Sequence, residues 1–138
     1  IDLFPTVLAA AGARIPNDVP GANLLENLQK KHPIKRSGIF GESLAHDIAD
    51  IKNPEASLLF RWRIEGKWKL LLTYDGEVNR YQSTHPRTEK KPQLFDLSKD
   101  PHEKTNLAKK HPEVVAALAA KIAGWWPLKE RKVITQYE

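Results

Sequence analysis

Residues 57–74 read Ser-Leu-Leu-Phe-Arg-Trp-Arg-Ile-Glu-Gly-Lys-Trp-Lys-Leu-Leu-Leu-Thr-Tyr. Two strand-like runs, 57–65 and 67–74, meet at Gly66, whose freedom to take a positive φ suits a tight reversal. A β-hairpin follows. Side chains alternate across a strand, so Leu59, Arg61, Arg63 and Glu65 share one face and Leu58, Phe60, Trp62 and Ile64 the other. In the second run Trp68, Leu70, Leu72 and Tyr74 fall together. One face of the sheet is expected to be buried, with Arg61 and Arg63 flanking the exposed one.

Outward from the hairpin, 38–44 and 93–97 read as further short strands, which makes about four. Between the hairpin and the last strand, 75–92 is a polar excursion with Gly76, Pro86 and Pro92, of a length at which loops are usually functional or mobile. Beyond the last strand, Pro112 suits a first helical position, and Val115, Leu118, Ala119 and Ile122 form a buried stripe ended by 124–127. At the other end Leu3, Val7, Leu8 and Ala11 recur at helical spacing. Asp2 is placed to cap that helix, Pro5 is tolerable only in its first turn, and Gly12 ends it. A proline-rich loop at 15–21 leads to a second short helix with Leu24, Leu25 and Leu28, and a basic connection covers 29–36. The class is α+β, a small antiparallel sheet of about four strands covered by a C-terminal helix. Residues 1–36 form a helix-and-loop lead and 37–138 the sheet and closing helix.

At 138 residues with 41% apolar and 28% charged side chains, the chain suits one compact fold rather than a disordered or membrane polypeptide. Its apolar runs are far too short to span a bilayer, and no membrane partner is expected. Without cysteine there is neither a disulfide framework nor a thiolate metal site. The chain opens on Ile1 and contains no Met, which reads as a piece of a longer polypeptide. The net charge of +5 is densest around Lys30, Lys31, Lys35 and Arg36, and again at Arg87, Lys90 and Lys91. A polyanion-binding module, for sulfated glycan or nucleic acid, is the alternative this charge raises. No aromatic interleaving or nucleic-acid motif accompanies it, so a solvated loop surface is the simpler account and no nucleic-acid partner is expected.

Three stretches carry a family resemblance. The first is Ile1-Asp2-Leu3-Phe4-Pro5-Thr6-Val7-Leu8 with Ala11-Gly12, Ile15-Pro16, Pro20-Gly21 and Leu24-Leu25. The second is Phe60-Arg61-Trp62-Arg63 with Gly66-Lys67-Trp68-Lys69-Leu70. The third is Gln93-Leu94-Phe95-Asp96-Leu97 with Asp100-Pro101, Glu103 and Asn106-Leu107-Ala108. In this order they resemble the C-terminal subdomain of the type I sulfatases of the alkaline phosphatase superfamily, over nearly the whole chain. The resemblance implies a small antiparallel sheet with a C-terminal helix, packed on a larger α/β catalytic domain that would be the missing partner. The short N-terminal helices would then belong to that domain's edge, and exposed Leu3, Val7 and Leu8 would mark the absent neighbour. It also implies a hydrolase of sulfate esters that uses a divalent metal, calcium, and a formylglycine made within a CxPxR motif. No such motif is in this sequence: Cys is absent, and Ser37, Ser43, Ser57, Ser83 and Ser98 lack the required Pro and Arg. No catalytic residue and no metal ligand is therefore assigned within the chain.

A candidate for substrate contact remains where the first strand ends, at Gly41-Glu42-Ser43-Leu44-Ala45-His46-Asp47-Ile48. Glu42, His46 and Asp47 could meet a sugar hydroxyl or leaving group, and the bland reading has them capping turns. Arg61 carries a guanidinium fork that matches a tetrahedral anion. The remaining histidines, His32, His85, His102 and His111, are scattered through polar loops without zinc-ligand spacing. Trp125 and Trp126 read as packing residues. The 94–108 signature reads as architecture, with Asp100, Glu103 and Asn106 bonding to backbone groups around the Pro101 turn.

Overall fold

The computed structural model of the chain describes residues 1–45, 50–74 and 91–127. It divides into two compact units, Ile1–Arg36 and Ser37–Glu138. In the first, α1 (Leu3–Ala10) and α2 (Leu24–Lys30) are joined by the proline-rich loop. Asp2 sits at the N-cap position of α1 but makes no side-chain capping bond, contrary to the sequence reading. Its carboxylate is spent across the unit instead: Oδ1 accepts from the Ala22 amide at 2.8 Å and from Arg36 at 2.5 Å. The Ala22 N–H first, and the Arg36 guanidinium next, hold the Asp2 carboxyl below its ordinary range. Thr6 extends the clasp, donating to the Asp2 carbonyl and accepting from the Leu24 amide. Asn23 caps α2 through the Leu25 and Glu26 amides. Leu3 and Val7 are 73% and 62% exposed, while Leu8 is half-buried.

The second unit is a four-stranded antiparallel meander in the order β1-β2-β3-β4, with β1 Ile39–Leu44, β2 Leu58–Glu65, β3 Trp68–Thr73 and β4 Gln93–Asp96. A 3-10 turn, Pro54–Ser57, leads into β2, and α3, Pro112–Trp125, closes the unit. Gly66 takes φ +56° between β2 and β3, the left-handed conformation the tight reversal needs. On β1, Gly41 lies opposite Trp62. A Cβ there would come within 2.2 Å of the indole, so glycine lets the ring lie flat across the strand.

Register fixes which residues share a face. Arg63 opposes Phe40 on one side and Leu70 on the other; Arg61 opposes Glu42 and Leu72; Glu65 opposes Trp68. Leu70 in turn opposes Leu94. Leu70, Leu94, Leu118 and Ile122 make the core, with Phe40, Trp68, Leu72, Val115 and Ala119 packed around it. The helix therefore covers the face that carries the arginines, which corrects the expectation that Arg61 and Arg63 flank the exposed one. The cause lies in β3, whose Trp68, Leu70 and Leu72 form the more apolar face and take their register partners under α3 with them.

Arg63 is 4% exposed, and its charge is fully engaged. It meets Glu65 through Nε at 2.8 Å and Nη2 at 2.7 Å, donates to the Ser37 carbonyl, and lies 4.2 Å over the Phe40 ring. Glu65 accepts as well from Lys121 of α3, at 2.6 and 2.8 Å. Phe40 stacks on Trp125 at 4.9 Å, and Trp126 meets Trp125 edge-on while buried itself. The two tryptophans are thus packing residues, as read from the sequence.

Two outcomes test this core. Leu70 is fully buried, so Leu70→Ala is expected to cost about 2–5 kcal/mol. Trp68 is only half-buried, against the Lys67 ammonium and the His111 ring; Trp68→Ala should fall at or below the lower end of the range for a large aromatic, about 3 kcal/mol. Denaturant melts of both variants read the difference, and an unmoved midpoint for Leu70→Ala would contradict the core assignment. The Lys121 ammonium first and Arg63 second lower the Glu65 carboxyl from its ordinary 4.5. A depressed carboxyl stabilises the fold above its unfolded value and loses that contribution as pH falls through its folded value. The stability gap between wild type and Glu65→Gln should accordingly be full above about pH 4.5 and close on further acidification. A gap of constant size across that range would show that the ion pairs carry no net stabilisation.

Candidate functional site

Of the four residues singled out for substrate contact, the structure brings Glu42 and Arg61 together. They are register partners on β1 and β2, on the face covered by α3. His46 and Asp47 lie outside the described residues, as does nearly all of the 75–92 excursion. Glu42 is exposed near the end of β1. Arg61 is half-buried, and its Nη1 donates to the carbonyl of Trp126, the residue that ends α3, at 2.9 Å. Its Nε is buried without a hydrogen-bond acceptor among the described residues. Burial draws the guanidinium below its ordinary pKa, while the charge of Glu55, and Tyr74 after it, push the other way. Tyr74 Oη stands 3.4 Å from a Glu55 oxygen. The group at this end of the sheet is thus a guanidinium, a phenol and two carboxylates gathered at the C-terminal end of α3. Such an arrangement can hold an anion or a hydroxyl-rich ligand and has no nucleophile poised for attack.

The two arginines differ in what they have left to give. Arg63 is satisfied by Glu65, Ser37 and Phe40, and is a structural residue. Arg61 makes one hydrogen bond and no ion pair within 4.0 Å among the described residues. Sequence alternation could not separate them, because both sit on the same face two residues apart. The signal lies in their register partners, Phe40 for Arg63 and Glu42 for Arg61.

The 94–108 stretch is architecture, as expected, although Glu103 works differently from its reading. Asn106 Oδ1 accepts from the amides of Leu94 and Ala108, and its Nδ2 donates to the Pro92 carbonyl. Asp100 accepts from the Thr105 amide at 2.7 Å. Asp96 is buried and takes Lys67 at 3.0 Å together with the Ser98 amide and hydroxyl. Among the described residues the Glu103 side chain reaches no backbone group. The residue takes the left-handed conformation, φ +55°, and sends both carboxylate oxygens to Lys69 of β3, at 2.6 and 2.9 Å. That ion pair offsets a backbone conformation which a residue with a Cβ seldom adopts.

Among the described residues no group of three or more His, Cys, Asp or Glu side chains stands close enough to hold a metal ion. The donors among the described residues do not fit a calcium site, which needs six to eight clustered oxygens. No helix among the described residues is long and apolar enough to cross a membrane.

No protein-family model matches the sequence. Individual proteins do. The chain is 31% identical over 122 residues to an N-acetylgalactosamine-6-O-sulfatase of Bacteroides thetaiotaomicron, a match covering 86% of this chain and 21% of that protein. Against human arylsulfatase K it is 29% identical over 126 residues, covering 88% of this chain and 20% of that one. Among solved structures, a Bacteroides thetaiotaomicron protein of glycosaminoglycan metabolism is 28% identical with a TM-score of 0.58, over 90% of this chain and 24% of its own. The fold recurs, at 21% identity and a TM-score of 0.58, in a phosphonate monoester hydrolase of Agrobacterium radiobacter, covering 99% of this chain and 28% of that one. The chain spans about a fifth of the length of the curated relatives it matches. By sequence and by fold the chain is similar to sulfatases over most of its length, and a C-terminal portion of such a protein fits these matches.

Proposed function

We propose that the whole protein to which this chain belongs hydrolyses sulfate esters, and that the chain supports the catalytic domain and forms part of the substrate cleft. The observation that carries the reading is the run of sulfatase matches across 86–88% of the chain. The nucleophile and the calcium ligands of such an enzyme would come from the rest of the polypeptide, since the sequence holds no CxPxR motif and the donors among the described residues do not fit the metal. The exposed apolar side chains of α1, Leu3, Phe4 and Val7, support a missing catalytic domain as the neighbour of the first unit, because apolar surface of that kind commonly marks an interface. An autonomous polyanion-binding module is the less economical account of a chain matched over most of its length by hydrolases.

Within the cleft, Glu42 and Arg61 are the residues of the described set proposed to touch substrate, together with His46 and Asp47, which follow Glu42 in sequence. Arg61 would orient an anionic group by donating to its oxygens, and Glu42 would accept from a hydroxyl. Neither performs bond cleavage. Their contribution is positional and should appear in kcat/KM rather than as an absolute loss of turnover.

Two measurements follow. The isolated 138-residue chain should show no turnover of an aryl sulfate with added calcium, while the full-length protein should turn it over. Activity in the isolated chain would overturn the division of labour, and inactivity of the full-length protein toward every sulfate ester offered would overturn the hydrolase reading. In the full-length protein, Arg61→Ala is expected to lower kcat/KM by roughly tenfold to a thousandfold, as positioning contacts do. Its lost bond to the Trp126 carbonyl should cost only about 0.5–1.5 kcal/mol of stability. A melting point lowered with kcat/KM intact would return Arg61 to a purely structural role.

A further inference from the structure

Pro54 opens the 3-10 turn that leads into β2, and the half-buried Glu55 follows it on a backbone whose first φ the proline ring fixes. Beside that turn the Tyr74 amide donates to the Leu59 carbonyl at 2.9 Å, which holds the residue after β3 against the start of β2. The Tyr74 phenol in turn donates to Glu55 across 3.4 Å, a long bond. Elsewhere in the unit acidic side chains close on cations: Glu65 on Arg63 and Lys121, Asp96 on Lys67, Glu103 on Lys69, all within 3.0 Å. Among the described residues Glu55 closes on none. It nevertheless acts on Arg61, whose pKa burial lowers first and the Glu55 charge next raises.

We infer that Glu55 is a specificity-determining residue of the proposed cleft, a fixed negative charge that lets Arg61 take one anionic group and turns away a further anion beside it. A closed carboxylate–guanidinium pair would cancel the arginine. The open pair leaves the guanidinium, with its one bond to the Trp126 carbonyl, able to meet an anion while the carboxylate's field covers the same space. Glu42, the register partner of Arg61 on β1, adds a second carboxylate, so one positive charge stands against two negative ones. Selectivity of this kind comes from what a site repels as much as from what it attracts. Sugar hydroxyls can bond to the carboxylates without that penalty. The inference rests on the sulfate-ester reading and on Arg61 meeting substrate. A role confined to holding the Tyr74 phenol would make no distinction of charge.

The test compares two sugars alike but for one sulfate, N-acetylgalactosamine 6-sulfate and its 4,6-disulfate, as substrates of the full-length protein and of its Glu55→Gln variant. The ratio of kcat/KM for the disulfate to that for the monosulfate should rise about fivefold in Glu55→Gln, the size expected of one partly screened charge. High salt should narrow this gap. Glu55→Asp, which keeps the charge, should keep the wild-type ratio, and so should Tyr74→Phe, which removes the phenol's bond and leaves the carboxylate. A ratio in Glu55→Gln within twofold of wild type, even with both rates lowered, would overturn the assignment, and an equal rise in Tyr74→Phe would trace the effect to lost positioning instead of charge and overturn it too. If neither sugar is cleaved, the hydrolase reading falls and the same ratio is read from calorimetric Kd values. There, absence of binding, or a ratio unmoved by Glu55→Gln, sinks the role of Glu55 as well.

Discussion

The second unit is organised around a positive charge placed where an apolar side chain would be expected. Arg63 lies under α3, and a buried guanidinium is tolerable only when its charge is paired and its N–H groups are bonded. Glu65 supplies the countercharge from two residues along the same strand, Ser37 an acceptor, and Phe40 the face of its ring. Glu65 is then shared with Lys121, so the pair that neutralises the arginine also ties the helix to the sheet. Phe40 passes the constraint on by stacking against Trp125. Loss of Glu65 would leave the Arg63 guanidinium buried and unmatched, which is why such pairs are costly to break even where an apolar replacement of the whole set would be tolerated.

Much of this was legible in the sequence. The β2–β3 hairpin, its turn at Gly66, the short flanking strands and the stripe of α3 all follow from period and turn chemistry. The error concerned which face the helix covers. β2 alone cannot decide it, because Phe60, Trp62 and Ile64 alternate with Leu59, Arg61 and Arg63, and charge argues for exposing the arginines. The information sits across the turn. With two residues between the strands, Glu65 must oppose Trp68 and Arg63 must oppose Leu70, so the strongly apolar face of β3 carries the arginines with it. Pairing the strands first and judging polarity afterwards would have placed them correctly.

Local chemistry was harder to read where a side chain had two uses. Asp2 precedes a helix and looks like a cap, yet its oxygen serves the Ala22 amide and Arg36, partners 20 and 34 residues away in sequence. Glu103 stands in a turn-rich signature and looks like a backbone acceptor, yet it is drawn to Lys69, 34 residues away. In both cases a charged partner distant in sequence displaced the nearby amide, consistent with the greater strength of hydrogen bonds in which both groups are ionised. Propensity rules see only the near partner. Asn106, by contrast, behaves as read, because an amide can donate and accept at once and so suits a junction of several backbone groups.

The same division runs through the residues proposed to touch substrate. Glu42 and Arg61 were named from residue type and position, and register makes them neighbours; nothing in the sequence distinguishes Arg61 from Arg63. That difference arises only after folding, when Glu65 is used up by Arg63 and Lys121, and Arg61 is left with the Trp126 carbonyl. Satisfying one arginine completely leaves Glu65 with no share for the other, and this is the basis on which Arg61 is proposed to meet a ligand. A guanidinium already held in place by one main-chain bond gives up little conformational freedom on meeting an anion, so its remaining donors cost less to engage than those of a mobile surface side chain. The pairing that stabilises the sheet-helix interface is therefore also what leaves a preorganised cation at the end of the sheet.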